Sequence, residues 1–439
     1  MIGMSCSVRG YHKCWGKFQL GFRPGKALRA LVTGAAIATL LALPQLAAAS
    51  GVNRTVAKPA VKPAVHKRAS SARKTAVATR GVAGHAVRVS GHRVVASRRH
   101  RYYEKFSASS FADNLTQGDV IEGEDPVVRD AAIAALGNMN GTALAIDPSN
   151  GRILAMVNQK LALSNGAEPC STIKLTVALA ALQEGIVTRD TPVALGGGYP
   201  LTLTEALAHS NNLYFETLGR TLGFERVKHY ANQLGLGELA GYNIKGEQLG
   251  VYPDEELPAA LGGVGRMCSF GESVSMTPLQ LGAIVASIAN GGTLFYLQHP
   301  ETPDDVAAFQ PKVKRMLDIA RLIPEMQDGM LAATQYGTAR SLRSSFTEFP
   351  VMGKTGTCSN NGTRFGWFAS YADTPNGRIV TVIFLEGGRP TFGPKAAELT
   401  GQFYRALYDH SYFAPKPTST VAPAASTIVT DSETATIKN

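Results

Sequence analysis

Apolar residues follow a helical spacing at the start of the globular part of the sequence, and then an alternating one. The stretch DPVVRDAAIAALGNM, residues 125–139, places its apolar side chains on one face of an amphipathic helix. The stretch TALAIDPSNGRILAMVN, residues 142–158, has two apolar runs on either side of PSNG. Because proline, asparagine and glycine favour a tight turn, this pattern predicts a β-hairpin.

Helical patterns fill the middle of the chain. They cover residues 168–182, 203–209, 211–221, 223–234, 277–292 and 324–335. The segment 277–292 begins with Thr-Pro and ends in Asn-Gly-Gly, which are good start and stop signals for a helix.

Strand patterns return towards the C-terminal end of the globular part. They cover residues 349–357, 366–372 and 378–386, and a last helix is predicted at 394–409. Strands at both ends therefore enclose a helical middle. This order predicts an α+β fold, in which one antiparallel sheet built from both ends is flanked by helices and the middle forms an all-helical subdomain.

Charge is distributed unevenly along the 439 residues, which changes the meaning of the formal net charge of +11. No Asp or Glu precedes Glu104, and 19 of the 44 Lys and Arg residues lie within residues 1–103. The remaining 25 basic residues stand against 33 acidic ones, so the rest of the chain has a net charge of −8. Only the N-terminal arm is therefore basic, and the body is mildly acidic.

The N-terminal segment is typical of an exported protein. Basic residues up to Arg29 precede an uncharged stretch, Ala30 to Ser50, that ends in AAAS. Residues 1–49 are interpreted either as a cleaved signal peptide or as an uncleaved membrane anchor. Both interpretations place the rest of the chain in the periplasm or at the outer face of the cytoplasmic membrane, where disulfides persist.

Two low-complexity segments flank the predicted folded domain, which covers residues 104–413. Residues 50–103 are rich in Ala, Val, Lys and Arg without a sustained period and predict a disordered basic linker. It is either a spacer alone or a spacer that also adheres to an anionic membrane or wall polymer. We expect no nucleic-acid partner for an exported arm. Residues 414–439 are predicted to form a second disordered tail.

A serine and a lysine lie one helical turn apart at the start of the helix in EPCSTIKLTVALAAL, residues 168–182. A serine hydroxyl is a weak nucleophile until a base removes its proton. Lys174 lies on the same helix face as Ser171, and desolvation or a nearby cation would lower its pKa enough to make it that base. The pair alone is a weak signal, because it also fits a helix cap with a surface lysine. The linker repeats the spacing at Ser71 and Lys74.

Two further clusters add specificity to this pair. The triplet SNN at 210–212 follows a predicted helix, and KTGT at 354–357 ends a predicted strand. The order Ser-x-x-Lys, Ser-x-Asn, Lys-Thr-Gly, in helix, loop and strand, resembles the penicillin-binding transpeptidases and serine β-lactamases. The flanking sequences LTLTEALAHSNNLYFETLGRTLG, GESVSMTPLQLGAIVASIANGG and YGTARSL resemble the same domain, so the resemblance covers roughly 125–408.

The resemblance implies a role for each matching residue. Ser171 attacks the penultimate D-Ala carbonyl of a peptidoglycan stem peptide, or the carbonyl of a β-lactam, and Lys174 takes its proton. Ser210 relays a proton towards the leaving amine, and Asn212 hydrogen-bonds the substrate amide and Lys174. Lys354 supplies positive charge near the substrate carboxylate and helps to keep the neighbouring lysine neutral.

The remaining strand residues complete the implied site. The hydroxyls of Thr355 and Thr357 receive the substrate carboxylate, and the N–H groups of Thr357 and Ser171 form the oxyanion hole. Gly356 allows the strand to approach the ligand closely. No cofactor is implied, and the scattered cysteines and histidines predict no metal site.

Cys170 departs from the family pattern, in which a glycine usually precedes the nucleophile. Cys358 follows two residues after Gly356, on the strand that in this fold passes beside the nucleophile helix. Since some serine β-lactamases bridge these two places, the resemblance implies a Cys170–Cys358 disulfide. Two packed thiols are the alternative. His209, Trp367 and Glu168 are assigned structural roles.

The leading functional prediction is a penicillin-binding D,D-transpeptidase or D,D-carboxypeptidase that acts on peptidoglycan stem peptides through an acyl-serine intermediate. β-Lactams would be its inhibitors or substrates. One alternative is a serine β-lactamase, which needs a device for rapid deacylation; we find no glutamate that resembles the class A pattern. The other alternative is a penicillin-binding sensor or wall-binding module that is acylated without turnover.

Overall fold

A computed structural model describes residues 105–196 and 198–414 of the chain. The predicted signal or anchor segment, the basic linker and residues 415–439 of the predicted tail lie outside these ranges. None of the helices within them has both the length and the apolar character that crossing a membrane requires.

The strands form one main sheet and one small hairpin. They are β1 (Gly141–Asp147), β2 (Arg152–Val157), β3 (Thr293–Phe295), β4 (Val313–Met316), β5 (Val351–Asn360), β6 (Thr363–Thr374) and β7 (Gly377–Gly387). The main sheet has the order β2-β1-β7-β6-β5 and is antiparallel throughout. Gly141 pairs with Leu385, so the two ends of the globular part meet in one sheet, as the sequence predicts.

The helices agree closely with the sequence prediction, and three short ones are additional. They are α1 (Pro126–Leu136), α2 (Gln159–Ala162), α3 (Lys174–Gln183), α4 (Leu203–Ala208), α5 (Asn212–Leu222), α6 (Phe224–Gln233), α7 (Gly263–Phe270), α8 (Pro278–Asn290), α9 (Pro303–Ala307), α10 (Ile323–Gln335) and α11 (Gly393–Asp409). The sequence did not predict α2, α7 or α9. The helix predicted at 168–182 begins as a 3-10 turn, Cys170–Ile173, before α3.

Capping residues explain where the predicted helices begin and end. The Thr277 side chain accepts the Gln280 N–H, and the Gln280 side chain accepts the Thr277 N–H, so a capping box opens α8. Gly291 ends this helix with φ of 96°, a conformation that glycine adopts without steric cost.

Side chains on the two faces of the sheet enter two separate cores. Along β7, Val380, Val382 and Phe384 face the core that contains α3 and α8, while Ile379 and Ile383 face the core that contains α1 and α11. This alternation is what a strand covered by helices on both faces requires. The α+β architecture predicted from the sequence is therefore confirmed, with the helical middle on one face of the sheet.

Helix α11 packs against a 3-10 turn, Arg340–Ser344, that lies close to β5 along the chain. A Cβ added at Gly401 of α11 would collide with the carbonyl oxygen of Leu342 in this turn. The Ser341 hydroxyl donates to the Pro394 carbonyl at 2.5 Å, which joins the turn to the start of α11. The close packing fixes the position of the turn relative to the sheet.

We predict that Gly401→Ala destabilises the protein, although glycine to alanine within a helix is normally stabilising. The added methyl group must displace backbone, which costs about 1–3 kcal/mol. Denaturant unfolding measures this loss, and Gln402→Ala, at a half-buried position on the same helix, is the matched control. Equal or increased stability of Gly401→Ala would contradict the close packing described here.

Candidate active site

The residues singled out in the sequence meet beside β5, the strand at the end of the sheet order. Residues 354–357 lie within this strand. Ser171 lies in the 3-10 turn before α3, and Lys174 is the first residue of α3. Ser210 follows α4, and Asn212 begins α5. Three separate parts of the chain therefore supply the cluster.

The Lys174 side chain is completely buried and surrounded by oxygen atoms. Its Nζ lies 3.0 Å from Ser171 Oγ and 3.1 Å from Ser210 Oγ. It lies 2.8 Å from the Ser210 carbonyl oxygen and 2.6 Å from Asn212 Oδ1. None of these four neighbours is a carboxylate, so none brings a full negative charge to the amine.

Burial and, to a smaller extent, the positive charge of Lys354 together lower the pKa of Lys174 to about 6, against an opposing effect of Glu216. At neutral pH the amine is therefore mostly uncharged. A neutral amine has two N–H bonds and one lone pair. The Ser210 carbonyl and Asn212 Oδ1 are acceptors only, so they take the two N–H bonds. The lone pair then faces a hydroxyl, and Ser171 O–H can donate to it.

Lys354 is the second buried amine of the site. Burial lowers its pKa to about 7. Its Nζ donates to Ser210 Oγ at 2.8 Å and to the Thr355 carbonyl at 3.0 Å. The amines of both lysines therefore contact the same hydroxyl group, that of Ser210. Each disfavours the charged form of the other.

Two residues of the site have a left-handed backbone. Ser210 has φ of 55° and Cys170 has φ of 51°, a region that costs a non-glycine residue roughly 1–2 kcal/mol. This conformation accounts for the usual glycine before the nucleophile. Strained backbone of this kind persists only where the surrounding structure enforces it.

A disulfide enforces the conformation at Cys170. The structure contains the predicted Cys170–Cys358 bond, with the two Cα atoms 5.5 Å apart. It joins the residue before Ser171 to the residue after Thr357, across 188 residues of sequence. The nucleophile turn and the edge strand are therefore held together covalently.

Close backbone contact between β5 and the nucleophile turn explains Gly356. A Cβ added there would lie 2.8 Å from the Pro169 carbonyl oxygen and 3.1 Å from Thr172 Cγ2. The contact with the carbonyl oxygen is too short for a Cβ atom and the contact with Thr172 is tight, so glycine is the residue that allows the strand to pass this close.

The hydroxyls of the two threonines of the strand are held by groups outside the lysine cluster. Thr355 Oγ1 lies 2.7 Å from Thr338 Oγ1, and the Gly393 N–H donates to Thr357 Oγ1 at 2.8 Å. The sequence assigned no role to Thr338 or Gly393. Thr338 lies in the YGTARSL stretch, which resembles the family. The spacing of this stretch alone does not show that Thr338 contacts the strand.

Trp367 and Glu168, to which the sequence analysis gives structural roles, both lie at the start of the nucleophile turn or contact it. The buried Trp367 stacks on Phe384 and donates its indole N–H to the Glu168 carbonyl at 3.0 Å, which holds the start of the nucleophile turn. Glu168 lines a cavity of about 450 Å³. Burial and the neighbouring Glu272 raise its pKa to about 7. His209 is exposed and pairs with Glu205 at 3.3 Å.

The fold and the site together define a class: a helix-flanked antiparallel sheet whose edge strand, carrying Lys-Thr-Gly, passes a buried lysine–serine pair. The chain belongs to the penicillin binding protein transpeptidase domain family, which matches residues 141–408, more than half of its length.

Curated relatives and a solved structure agree with this family. Stage V sporulation protein D of Bacillus subtilis is 29% identical over 320 residues, which cover 60% of this chain and 48% of that protein. Peptidoglycan D,D-transpeptidase FtsI of Escherichia coli is 25% identical over 294 residues, covering 59% and 46%. The chain thus spans about half the length of these relatives. Pseudomonas aeruginosa PBP2 in complex with WCK 5153 has the same fold, with a TM-score of 0.59 and 23% identity over 68% of this chain and 77% of that one.

We predict that acylation by a penicillin accelerates as the pH rises, with a midpoint near 6, because the Lys174 amine must be unprotonated. Lys354→Met should move this midpoint to higher pH, because it removes a positive charge that lowers the Lys174 pKa. Stopped-flow acylation between pH 5 and 8 gives the midpoint independently of the maximal rate. Lys160→Met, at an exposed lysine, should leave it unchanged. A profile without a midpoint in this range would contradict the assignment.

We predict that Cys358→Ser lowers the free energy of unfolding, by up to about 5 kcal/mol in the chain-entropy account of a loop this long. It should also slow acylation, because Cys170 loses the tether that holds its left-handed backbone. Adding Cys170→Gly should restore part of both losses, since glycine adopts this conformation freely. A reductant should destabilise the wild type but not the double variant. Equal sensitivity of the two to reductant would rule out this account.

Proposed function

We propose that the protein is a peptidoglycan D,D-transpeptidase that acts through an acyl-enzyme intermediate on Ser171. One observation carries the proposal: Ser171 Oγ lies 3.0 Å from the buried Lys174 amine, whose pKa is lowered to about 6. Family membership and the names of relatives such as FtsI support this activity. The proposal includes a carboxypeptidase side reaction, in which water instead of an amine accepts the acyl group.

In the first step, Ser171 Oγ attacks the carbonyl carbon between the two terminal D-alanines of a stem peptide. Its proton passes to the lone pair of Lys174 as the O–C bond forms. The developing oxyanion lies between the N–H groups of Ser171 and Thr357, which we assign as the oxyanion hole. We detect no hydrogen bond from the Ser171 N–H to another residue in the described ranges, so this donor is available.

In the second half of the step, the bond to the terminal D-alanine breaks. Lys174, now an ammonium, donates to Ser210 Oγ at 3.1 Å, and the Ser210 proton passes to the departing amine. Lys354 also donates to Ser210 Oγ, which favours release of that proton. The products are free D-alanine and an ester between Ser171 and the shortened stem peptide. An amine of a second stem peptide then attacks this ester, and the proton transfers run in reverse.

The polar neighbours of the nucleophile favour transfer to an amine over hydrolysis of a β-lactam. Rapid deacylation by water requires a base placed to activate that water. Within the described ranges, no carboxylate hydrogen-bonds to Ser171 or Lys174, and the oxygens around Lys174 are hydroxyl, carbonyl and amide. This arrangement disfavours the β-lactamase alternative.

We also propose that the domain works outside the cytoplasm, where its substrate and an oxidised disulfide are both found. The predicted adhesion of the basic linker to an anionic membrane or wall polymer lies outside the described residues and stays a prediction.

The test is acylation of the full chain by a fluorescent penicillin, followed by reaction with uncross-linked glycan strands that carry pentapeptide stems. We expect a stable label and, by mass spectrometry, cross-linked dimers with release of one D-alanine per link. Ser171→Ala should abolish both. Ser71→Ala is the matched control, because it alters the same Ser-x-x-Lys spacing in the linker.

Other outcomes separate the alternatives. Shortened stems without dimers would indicate a carboxypeptidase. Rapid release of penicilloic acid would indicate a β-lactamase. A stable label with no change in the stems would indicate a sensor. Undiminished labelling of Ser171→Ala would overturn the assignment of the nucleophile.

A further inference from the structure

Lys354, to which the family resemblance assigns the positive charge near the substrate carboxylate, is poorly placed to meet that carboxylate directly. Lys354 is completely buried, and its amine is already engaged by Ser210 Oγ and by the Thr355 carbonyl. Its burial also disfavours the charged form near neutral pH. An amine in this state is suited to proton transfer at Ser210, and it is a weak partner for a carboxylate.

The path of the substrate along β5 indicates where the carboxylate lies. The reacting carbonyl is placed at Ser171 and Thr357, so the terminal carboxylate extends along the strand towards Thr355. The hydroxyl of Thr355 contacts that of Thr338 at 2.7 Å. Thr338 in turn lines a cavity of about 490 Å³, whose other walls include Tyr336, Arg340 and Ser341. This cavity therefore lies next to the carboxylate end of the site, with the Thr338 hydroxyl between it and Thr355.

Arg340 is an available cation in the wall of this cavity. Its side chain is exposed, and we find neither an ion pair nor a hydrogen bond from its guanidinium within the described ranges. Glu205, a carboxylate on the same side, already accepts from the Tyr336 hydroxyl at 2.9 Å and pairs with His209. Lys395, next to the cavity, is paired with Glu398 at 2.8 Å.

The backbone that carries Arg340 is fixed. Arg340 begins the 3-10 turn that α11 holds through the contact between Gly401 and Leu342 and through the Ser341–Pro394 hydrogen bond. The side chain is thus exposed and able to reach a ligand, while the turn that carries it is anchored to α11.

We propose that Arg340 binds the C-terminal carboxylate of the acyl donor and makes the enzyme specific for donors that end in a carboxylate. This inference rests on the function proposed above. A planar guanidinium can donate two parallel N–H bonds to a carboxylate, in a geometry that an ammonium lacks. Lys354 is then reserved for proton transfer, Thr355 and Thr357 orient the carboxylate, and Arg340 neutralises it.

Two thioesters that differ only in this charge provide the test. N-benzoyl-D-alanyl-thioglycolate carries a carboxylate in the position of the terminal D-alanine, and its methyl ester does not. With the full chain, kcat/KM for each is measured from the loss of thioester absorbance. We expect Arg340→Gln to lower kcat/KM for the carboxylate substrate about 10- to 100-fold, the range for a charged hydrogen-bonded pair. For the methyl ester, kcat/KM should change less than about twofold.

Two further variants sharpen the comparison. Arg340→Lys keeps the charge without the paired donors and should lose less than Arg340→Gln on the carboxylate substrate. Arg343→Gln removes an exposed arginine from the same turn and should leave both substrates unchanged.

The outcomes separate the two proposals. Suppose that the wild type shows Ser171-dependent turnover, but Arg340→Gln lowers kcat/KM equally for the two thioesters or leaves both values unchanged. The role of Arg340 is then refuted, and the proposed function stands. If the wild type turns over neither thioester and is not acylated by penicillin, the proposed function fails, and this inference fails with it.

Discussion

The Lys174 amine is buried among oxygen atoms from two parts of the chain, the nucleophile turn and the Ser210–Asn212 segment, and the site depends on this burial. Water is excluded and no carboxylate replaces it, so the ammonium form is disfavoured and the pKa falls from its ordinary 10.5 to about 6. Between these values the unfolded chain binds a proton that the folded chain does not bind. The contribution of this residue to stability therefore declines as the pH falls through that window. The same burial that causes this loss of stability provides an uncharged base beside a serine.

The Ser210 hydroxyl couples this amine to the second lysine. Because both ammonium groups would approach the same oxygen, the pair titrates as a unit, and protonation of one opposes protonation of the other. The geometry requires a left-handed backbone at Ser210, which presents its carbonyl and its hydroxyl to Lys174 together. The strained backbone at Ser210 therefore also places the two groups that contact the Lys174 amine.

Much of this arrangement follows from the sequence. The period of the apolar residues located the long helices and the strands, and the order of the three motifs located the lysines, the serines and the strand. Local sequence does not specify the link between Thr338 and Thr355, which lie 17 residues apart, or the cavity beside Arg340, whose wall includes Pro394 of α11, more than 50 residues away. The helix α7 was missed because its glycine-rich start weakens the helical signal. The disulfide was implied by the family resemblance, while the left-handed backbone of Cys170 became evident only in the structure.

The strand order has a consequence for how the protein is made. Strand β1 lies between β2 and β7, and β7 begins only at Gly377, more than two hundred residues later in synthesis. The edge strand that faces Ser171 can join the sheet only after β6 and β7 are present. The serine and its base are synthesised early, yet they are brought opposite that strand only when almost the whole domain is available. Such long-range pairing folds slowly, so an unfinished chain carries the nucleophile without the strand it works against.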